Sequence, residues 1–200
     1  MSGTFPSSPA AAEVSVQSIE PTLISTSISL KRQARTRGGQ RWLLSIVFPA
    51  MTRAEFAPIY AFSLKQRGQY ETFTYVPPTI STTRGESAET PVVDGAVTSG
   101  ANSCSVDGLT ATTSNILREG DFIKFSDHVK IYMVTSDMSS DGSGDATLDF
   151  APKAVQDIAN NATVTIASVP FTVAFQDDLR QFGTNFTNLF QYECSLIEVI

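Results

Sequence analysis

The aspartates between positions 137 and 145 are the first residues to test for chemistry, since acidic residues spaced along a glycine-containing loop are typical of calcium sites. Asp137, Asp141 and Asp145 stand at the first, fifth and ninth positions of such a loop, with a glycine at the sixth. The twelfth position, where an EF-hand has a bidentate glutamate, is Leu148, and no flanking helices are evident. We therefore favour a glycine-rich hairpin tip without metal, and keep these three aspartates as the metal-site candidates.

Residue sets for catalysis are missing from the sequence. His128 is the single histidine, and no second imidazole or paired cysteine stands at zinc-ligand spacing. There is no G-x-S-x-G nucleophile elbow and no phosphate-binding glycine motif. Cys104 and Cys194 are far apart and predict neither a disulfide framework nor a metal site. We expect a protein that is not an enzyme and has no cofactor, with His128 as a polar turn residue.

A basic segment holds five of the 14 lysines and arginines within eleven positions around Gly38 and Gly39. Its cationic residues are Lys31, Arg32, Arg35, Arg37 and Arg41. Three interpretations stay open: a solvated hairpin loop, a subunit interface held by ion pairs, or a DNA contact. DNA contact is the weaker functional interpretation, because no aromatic platform or known nucleic-acid motif accompanies the arginines.

Composition and charge limit the classes of function. The 200 residues suit one domain with a large insertion or two small domains. The net charge of −6 argues against general nucleic-acid affinity, which needs a basic surface. The first residues lack the charged and apolar regions of a secretory signal peptide. No apolar run approaches the ~18 residues of a membrane span, so we expect a soluble chain made in the cytoplasm.

The segment Arg41–Pro78 organises the predicted fold as strand, helix and strand. Thr52 precedes Glu55 at capping-box spacing, which predicts a helix over about 52–67 with Phe56, Tyr60, Leu64 and Ile59 on its apolar face. Pro58 predicts a kink or a late start, because proline removes a helical hydrogen bond. The flanking runs Arg41–Phe48 and Thr72–Val76 are rich in β-branched and aromatic residues and predict strands.

Residues 79–168 differ from the rest of the chain in charge and pattern. They carry 12 acidic and 5 basic residues, and the rest of the chain carries 8 acidic and 9 basic residues, so all of the net acidity lies in this block. Short strand candidates separated by turn signals predict a small barrel or sandwich. These candidates are Cys104–Val106, Asp121–Phe125, Lys130–Thr135, Ala146–Phe150 and Ala162–Ile166. We therefore predict an inserted acidic all-β domain over 79–168.

The two ends of the chain complete the predicted organisation. Residues 1–20 are rich in Ser, Pro and Ala and predict a flexible arm, disordered or ordered against a neighbouring subunit. Thr22–Leu30 alternates and predicts a half-buried strand. Pro170–Phe175 and Phe190–Val199 predict two closing strands, the last of which pairs with Thr22–Leu30 or with Arg41–Phe48. Residues 21–78 and 169–200 would then form one core domain, mainly β with one helix packed on a sheet.

This order of elements resembles the lambda-type minor tail protein M family of long-tailed phages, whose members are distal-tail-like proteins. The resemblance covers roughly Thr22–Pro78 and Val169–Ile200. It rests on a strand that ends in a proline, a helix closed by a glycine, an aromatic strand ending in two prolines, and a closing strand pair. The matching residues are Phe48, Pro49, Gly68, Tyr70, Thr72, Phe73, Pro77, Pro78, Phe171–Phe175 and Phe190–Val199. The family's short members have only a loop where this chain has Thr79–Ser168.

The resemblance implies a β-sandwich or split-barrel core and a purely structural function. It implies a hexameric ring at the distal end of the tail tube, in contact with identical subunits, the tube protein and the tip or hub protein. DNA would only pass through the channel, and no membrane would be bound. The protein would be assembled in the host cytoplasm and reside in the virion tail.

Two other functions remain open. The block 79–168 could be a carbohydrate- or host-surface-binding module, with Phe122 and Tyr132 as candidate stacking residues. Both alternate with apolar neighbours, however, and are read more simply as core residues. A tail-associated hydrolase is the third hypothesis, which His128 and the scattered carboxylates support poorly.

Overall fold

The structure is a computed structural model that describes residues 3–86 and 89–200. Its elements confirm the expected mainly β fold with one helix. In chain order they are β1 (Glu13–Ile19), β2 (Thr22–Thr26), β3 (Arg32–Thr36), β4 (Arg41–Val47), α1 (Arg53–Lys65), β5 (Phe73–Tyr75), β6 (Val92–Val93), β7 (Ser103–Asp107), β8 (Phe122–Phe125), β9 (Tyr132–Val134), β10 (Ala146–Ala151), β11 (Val164–Thr165), β12 (Phe171–Phe175), β13 (Phe182–Thr184) and β14 (Phe190–Glu198).

The first sheet is antiparallel and combines strands from both ends of the chain. Its order is β1-β4-β14-β12-β5, with β13 pairing the start of β14. The terminal strand β14 pairs with β4, one of the two predicted partners, and Leu196 lies opposite Leu44. Alternate residues of β4, including Trp42, Leu44 and Ile46, point into the core. The first and last parts of the chain therefore share one hydrophobic core.

Helix α1 begins where its capping residues predict. The Glu55 carboxylate accepts hydrogen bonds from the Thr52 N–H and the Thr52 hydroxyl, each at 2.8 Å, and these bonds lower the pKa of Glu55. The helix continues through Pro58, so the expected late start is wrong. Its buried residues are Phe56, Ile59 and Ser63, whereas Leu64 of the predicted apolar face is exposed.

The second sheet contains only strands from the predicted insertion and curls into a nearly closed barrel. Its order is β11-β8-β9-β10-β7-β6. A bridge between Val92 and Thr163, with a hydrogen bond from Val93 N–H to Ala162 O at 2.9 Å, joins the two ends of this order. A separate hydrophobic core fills the interior, with Phe125, Tyr132 and Phe150 among its residues. Closure leaves this sheet without a long free edge.

The N-terminal residues are part of the first sheet, which corrects the expectation of a flexible arm over residues 1–20. Strand β1 pairs with β4 along its whole length. Phe5 is buried among aromatic rings of the core, including Phe48 and Phe73, and its N–H bonds to Thr74 O at 2.8 Å. The Ser-, Pro- and Ala-rich composition did not indicate either the pairing of β1 or the burial of Phe5. One aromatic residue and a seven-residue strand are enough to attach this segment to the sheet. Met1 and Ser2 lie outside the described residues.

A buried ion pair joins the two sheets. The Lys130 ammonium contacts the Glu198 carboxylate, and both side chains are fully buried. Glu198 also accepts the N–H of Ile131 at 2.8 Å and that of Trp42 at 3.1 Å. The Trp42 indole N–H donates to Ile131 O at 3.0 Å. Burial lowers the pKa of Lys130, and the neighbouring Glu198 opposes that shift.

Candidate subunit interface

Residues 21–39 form a hairpin that extends beyond the first sheet, and we call it the hairpin arm. Strands β1 and β4 pair up to Ile19 opposite Arg41, and β2 and β3 then pair from Thr22 opposite Thr36 to Thr26 opposite Arg32. Every residue of the arm is exposed. At the rise of a β-strand, the five residue pairs of β2 and β3 span about 17 Å, and the turn at the tip extends beyond them.

Left-handed backbone conformations mark the tip and the base of the arm. Leu30 has a φ of 60°, and Gly38 and Gly39 have φ of 69° and 71°, in the left-handed region that suits glycine. The Ser27 N–H bonds to Lys31 O at 3.0 Å and closes the tip. The predicted strand is present over Thr22–Thr26, but its predicted half burial and its extension to Leu30 are wrong. Its alternation is real, but no other part of the described chain covers either face.

Four of the five basic candidates lie in the arm, and the fifth lies at its base. Lys31 is at the tip, Arg32 and Arg35 are in β3, Arg37 follows β3, and Arg41 begins β4. Within the described residues none of the five forms a salt bridge. Leu23 lies opposite Arg35 on one face of the arm, and Ile24 and Arg32 share the other face, so each face combines an apolar and a cationic side chain. An isolated two-stranded hairpin of this kind is marginally stable in water.

The three metal-site candidates do not converge on a metal site. Asp137 accepts the Glu119 N–H at 2.9 Å. Asp141 accepts the N–H of Ser143 at 2.7 Å and that of Asp145 at 3.0 Å, and these backbone bonds lower its pKa. In residues 3–86 and 89–200 no group of three acidic, histidine or cysteine side chains is placed to hold a metal ion. The loop is a turn organised by its own backbone.

His128 is buried, which corrects the expectation of a polar turn residue. Its Nδ1 lies 2.7 Å from the Tyr132 hydroxyl, and its Nε2 lies 3.3 Å from Asp157 O. Because a carbonyl oxygen can only accept, Nε2 donates to Asp157 O, while the Tyr132 hydroxyl that contacts Nδ1 also accepts the Val155 N–H at 3.3 Å. Burial raises the pKa of Tyr132 to about 12. The ring therefore fastens one barrel loop to another.

The two loops that His128 fastens carry both charge and apolar surface. We call Asp127–Val129 and Val155–Asp157 the acidic loop pair. Asp127 O accepts the Gln156 side-chain N–H at 2.8 Å, and the Asp127 carboxylate accepts the Ala159 N–H at 2.8 Å. Val129 and Val155 are 41% and 42% exposed. Sequence reasoning missed this pair, because its loops are distant in the chain.

The aromatic residues proposed for glycan stacking are not accessible. Tyr132 is fully buried and Phe122 is 6% exposed. Phe122 packs edge-to-face on Trp42 of the first sheet, with ring centroids 5.1 Å apart. Both residues therefore belong to the cores, as their alternation with apolar neighbours predicted.

A second exposed apolar surface lies beside helix α1. Phe56, Tyr60, Leu64, Phe182 and Phe190 line a groove of about 380 Å³. The Phe56 and Phe190 rings stack with centroids 4.8 Å apart, so the groove has a rigid aromatic floor. Sequence analysis missed β13, since a three-residue strand containing a glycine gives little pattern.

Comparison with known proteins does not assign a family. No protein-family model matches the chain, and a search of curated proteins finds no match either. Among the described residues, no helix has the length and hydropathy to cross a membrane.

Proposed function

We propose that this chain is a structural subunit of a phage tail that forms a homo-oligomeric ring at the distal end of the tail tube. In that position it would connect the tube to the tip or hub protein, and DNA would pass through the ring. The resemblance of the strand–helix–strand segment and the closing strands to distal-tail-like proteins supports the location in the tail. The exposed hairpin arm supports the assembly of several subunits.

The hairpin arm is the observation that carries the proposal. Nineteen consecutive residues, 21–39, are exposed, and they include the aliphatic side chains Leu23, Ile24, Ile28 and Leu30. Exposing these apolar side chains to water is unfavourable, and exposed apolar surface of this extent is typical of interaction sites. The hairpin arm contributes no side chain to the core of its own subunit. Such an arm is expected in a subunit that buries it against a neighbouring subunit.

The functional groups of the chain agree with a structural role. The single histidine holds two loops together, and the buried acids Asp121 and Glu198 accept internal hydrogen bonds. Burial raises the pKa of both cysteine thiols to about 12, which disfavours the thiolate nucleophile. These buried ionisable groups make internal contacts, which supports a structural role.

Replacing the arm tests the proposal. Residues 21–39 would be exchanged for Asn-Gly, a two-residue hairpin turn that fits the register of β1 and β4. We expect the unmodified chain to form a closed ring and the shortened chain to remain monomeric. Sedimentation velocity would measure the mass, and negative-stain electron microscopy the symmetry.

The control is a variant with Lys65→Glu, a charge reversal in the exposed last turn of α1 that leaves the arm intact and does not line the groove beside this helix. This variant should assemble as the unmodified chain does. If the unmodified chain stays monomeric at high concentration and in the presence of purified tail tubes, the ring proposal is wrong.

A further inference from the structure

We infer that the hairpin arm of one subunit binds the acidic loop pair of the next subunit. This inference rests on the proposed ring function and names the two surfaces that would form the contact. The arm occupies the loop pair as an extended ribbon, with its cations beside Asp127 and Asp157 and its aliphatic side chains over Val129 and Val155.

Charge complementarity selects the barrel as the partner surface. The arm has four cationic and no acidic residues, whereas residues 79–168 carry 12 acidic and 5 basic residues. Opposite potentials on two surfaces speed encounter and exclude wrong pairings. The remainder of the chain, outside arm and barrel, has no comparable excess of acid.

Apolar exposure selects one end of the barrel. In the described part of the block, Val129 and Val155 are the large apolar residues that remain exposed. The opposite end has acidic residues at Glu119, Asp137 and Asp145, and both ends carry exposed cations, with Lys153 beside the loop pair. In its described part, however, the opposite end exposes no large apolar side chain. Only the acidic loop pair offers both kinds of surface that the arm requires.

The loop pair is also a pre-organised surface. The buried contacts of His128 with Tyr132 and with Asp157 O fix the two loops relative to each other. Asp157 accepts the Ser99 N–H at 2.7 Å, which holds its carboxylate in place. A rigid binding surface loses little conformational entropy when the partner docks.

The arrangement gives a head-to-tail contact. Asp127–Val129 of the loop pair directly precede Lys130 and Ile131, which contact Glu198 and Trp42 near the base of the arm. Each subunit thus carries an arm and, at a different site, a receptor for an arm. A contact between two different surfaces can be repeated from one subunit to the next. It produces a ring when the rotation that relates neighbouring subunits brings the last subunit back to the first.

A charge swap tests the inference in the full chain. Val129→Lys with Val155→Lys adds cations to the loop pair without breaking an internal hydrogen bond. Lys31→Glu, Arg32→Glu, Arg35→Glu and Arg37→Glu reverse the arm. We expect each set alone to weaken self-association by at least about tenfold, and the combined variant to regain most of it, as measured by sedimentation velocity.

The matched control is Ala111→Lys with Ser114→Lys, two exposed positions at the opposite end of the barrel. These changes should leave self-association unchanged. If the loop-pair variant assembles like the unmodified chain, or the combined variant associates no better than either set alone, the arm binds elsewhere and the inference is wrong while the ring proposal stands. A monomeric unmodified chain would instead overturn both.

Discussion

The two sheets of this protein solve the problem of free strand edges in different ways. The barrel is built from one stretch of chain, 92–165, and its end strands β6 and β11 meet through the Val92–Thr163 bridge. The first sheet is assembled from distant segments and ends in β1, whose outer edge has no partner in the described chain. Residues 3–5 cover the other edge beside β5.

The difference between the two sheets indicates which surfaces are available for assembly. A nearly closed sheet has few free backbone groups with which to pair another chain, so we expect the barrel to bind through side chains and loops. The first sheet retains a free edge and continues it into the hairpin arm. We therefore expect stability to depend on both cores and their junction, and assembly to depend on surfaces that stability does not need.

The largest expected effect is at the junction of the two sheets. Glu198→Ala removes the partner of the buried Lys130 ammonium and the acceptor of two backbone N–H groups. Leaving a buried charge unpaired costs about 3–5 kcal/mol. We expect that loss in the free energy of unfolding, measured by urea titration with Trp42 fluorescence.

Glu193→Ala is the matched control, since Glu193 is an exposed residue of the same strand. Its effect should stay within about 0.5 kcal/mol. Equal effects of the two substitutions would mean that the ion pair does not join the sheets. After Glu198→Ala we also expect Trp42 fluorescence and far-UV circular dichroism to report separate transitions, because the barrel keeps its own core.

The second prediction concerns the barrel alone. Tyr132→Phe removes the hydroxyl that contacts His128 Nδ1 and the Val155 N–H. Buried polar groups without partners cost about 1–3 kcal/mol, and we expect a loss of that size in urea unfolding. Tyr70→Phe, at a residue that is 75% exposed, is the control and should be neutral. A neutral Tyr132→Phe would refute the role of this hydroxyl in fastening the loops.

Sequence analysis predicted the elements that are specified by residues close together in the chain. The capping residues of α1 are three positions apart, and the strands β4, β10, β12 and β14 each carry their own pattern. The junction could not be predicted this way, because Lys130 and Glu198 are 68 positions apart. The exposure of the arm could not be predicted either, since the alternation of Thr22–Thr26 suits a covered and an uncovered strand equally.

The third prediction uses the two cysteines, one in each core. Burial raises the pKa of Cys104 and of Cys194 from 9.0 to about 12. Between these pH values the unfolded thiol is ionised and the folded thiol is protonated, so the free energy of unfolding falls as pH rises. Each thiol contributes at most about 1.4 kcal/mol per pH unit.

Cys104→Ala and Cys194→Ala should each flatten the alkaline decline of stability, measured by urea unfolding across that pH range. Because Cys104 belongs to the barrel core and Cys194 to the core of the first sheet, the two variants compare the cores directly. A slope that neither substitution changes would show that other groups, such as the buried tyrosines, account for the whole decline.

The smallest expected effect on stability is in the hairpin arm. Comparing an isoleucine of the arm with one in β4 separates residues needed for assembly from residues needed for folding. Ile28 is fully exposed, whereas Ile46 in β4 is fully buried. Ile28→Ala should change the free energy of unfolding by no more than about 0.5 kcal/mol, whereas Ile46→Ala removes core packing and should cost about 2–5 kcal/mol. Urea unfolding of the monomer would measure both changes.

The same Ile28→Ala variant should nevertheless weaken self-association, because the lost side chain would be buried only against a neighbouring subunit. An isoleucine that is neutral for the fold but needed for assembly has its packing partner outside its own chain. If Ile28→Ala instead destabilised the monomer as much as Ile46→Ala does, the arm would pack on its own subunit in solution. The contrast between a self-sufficient barrel and an incomplete first sheet would then be wrong.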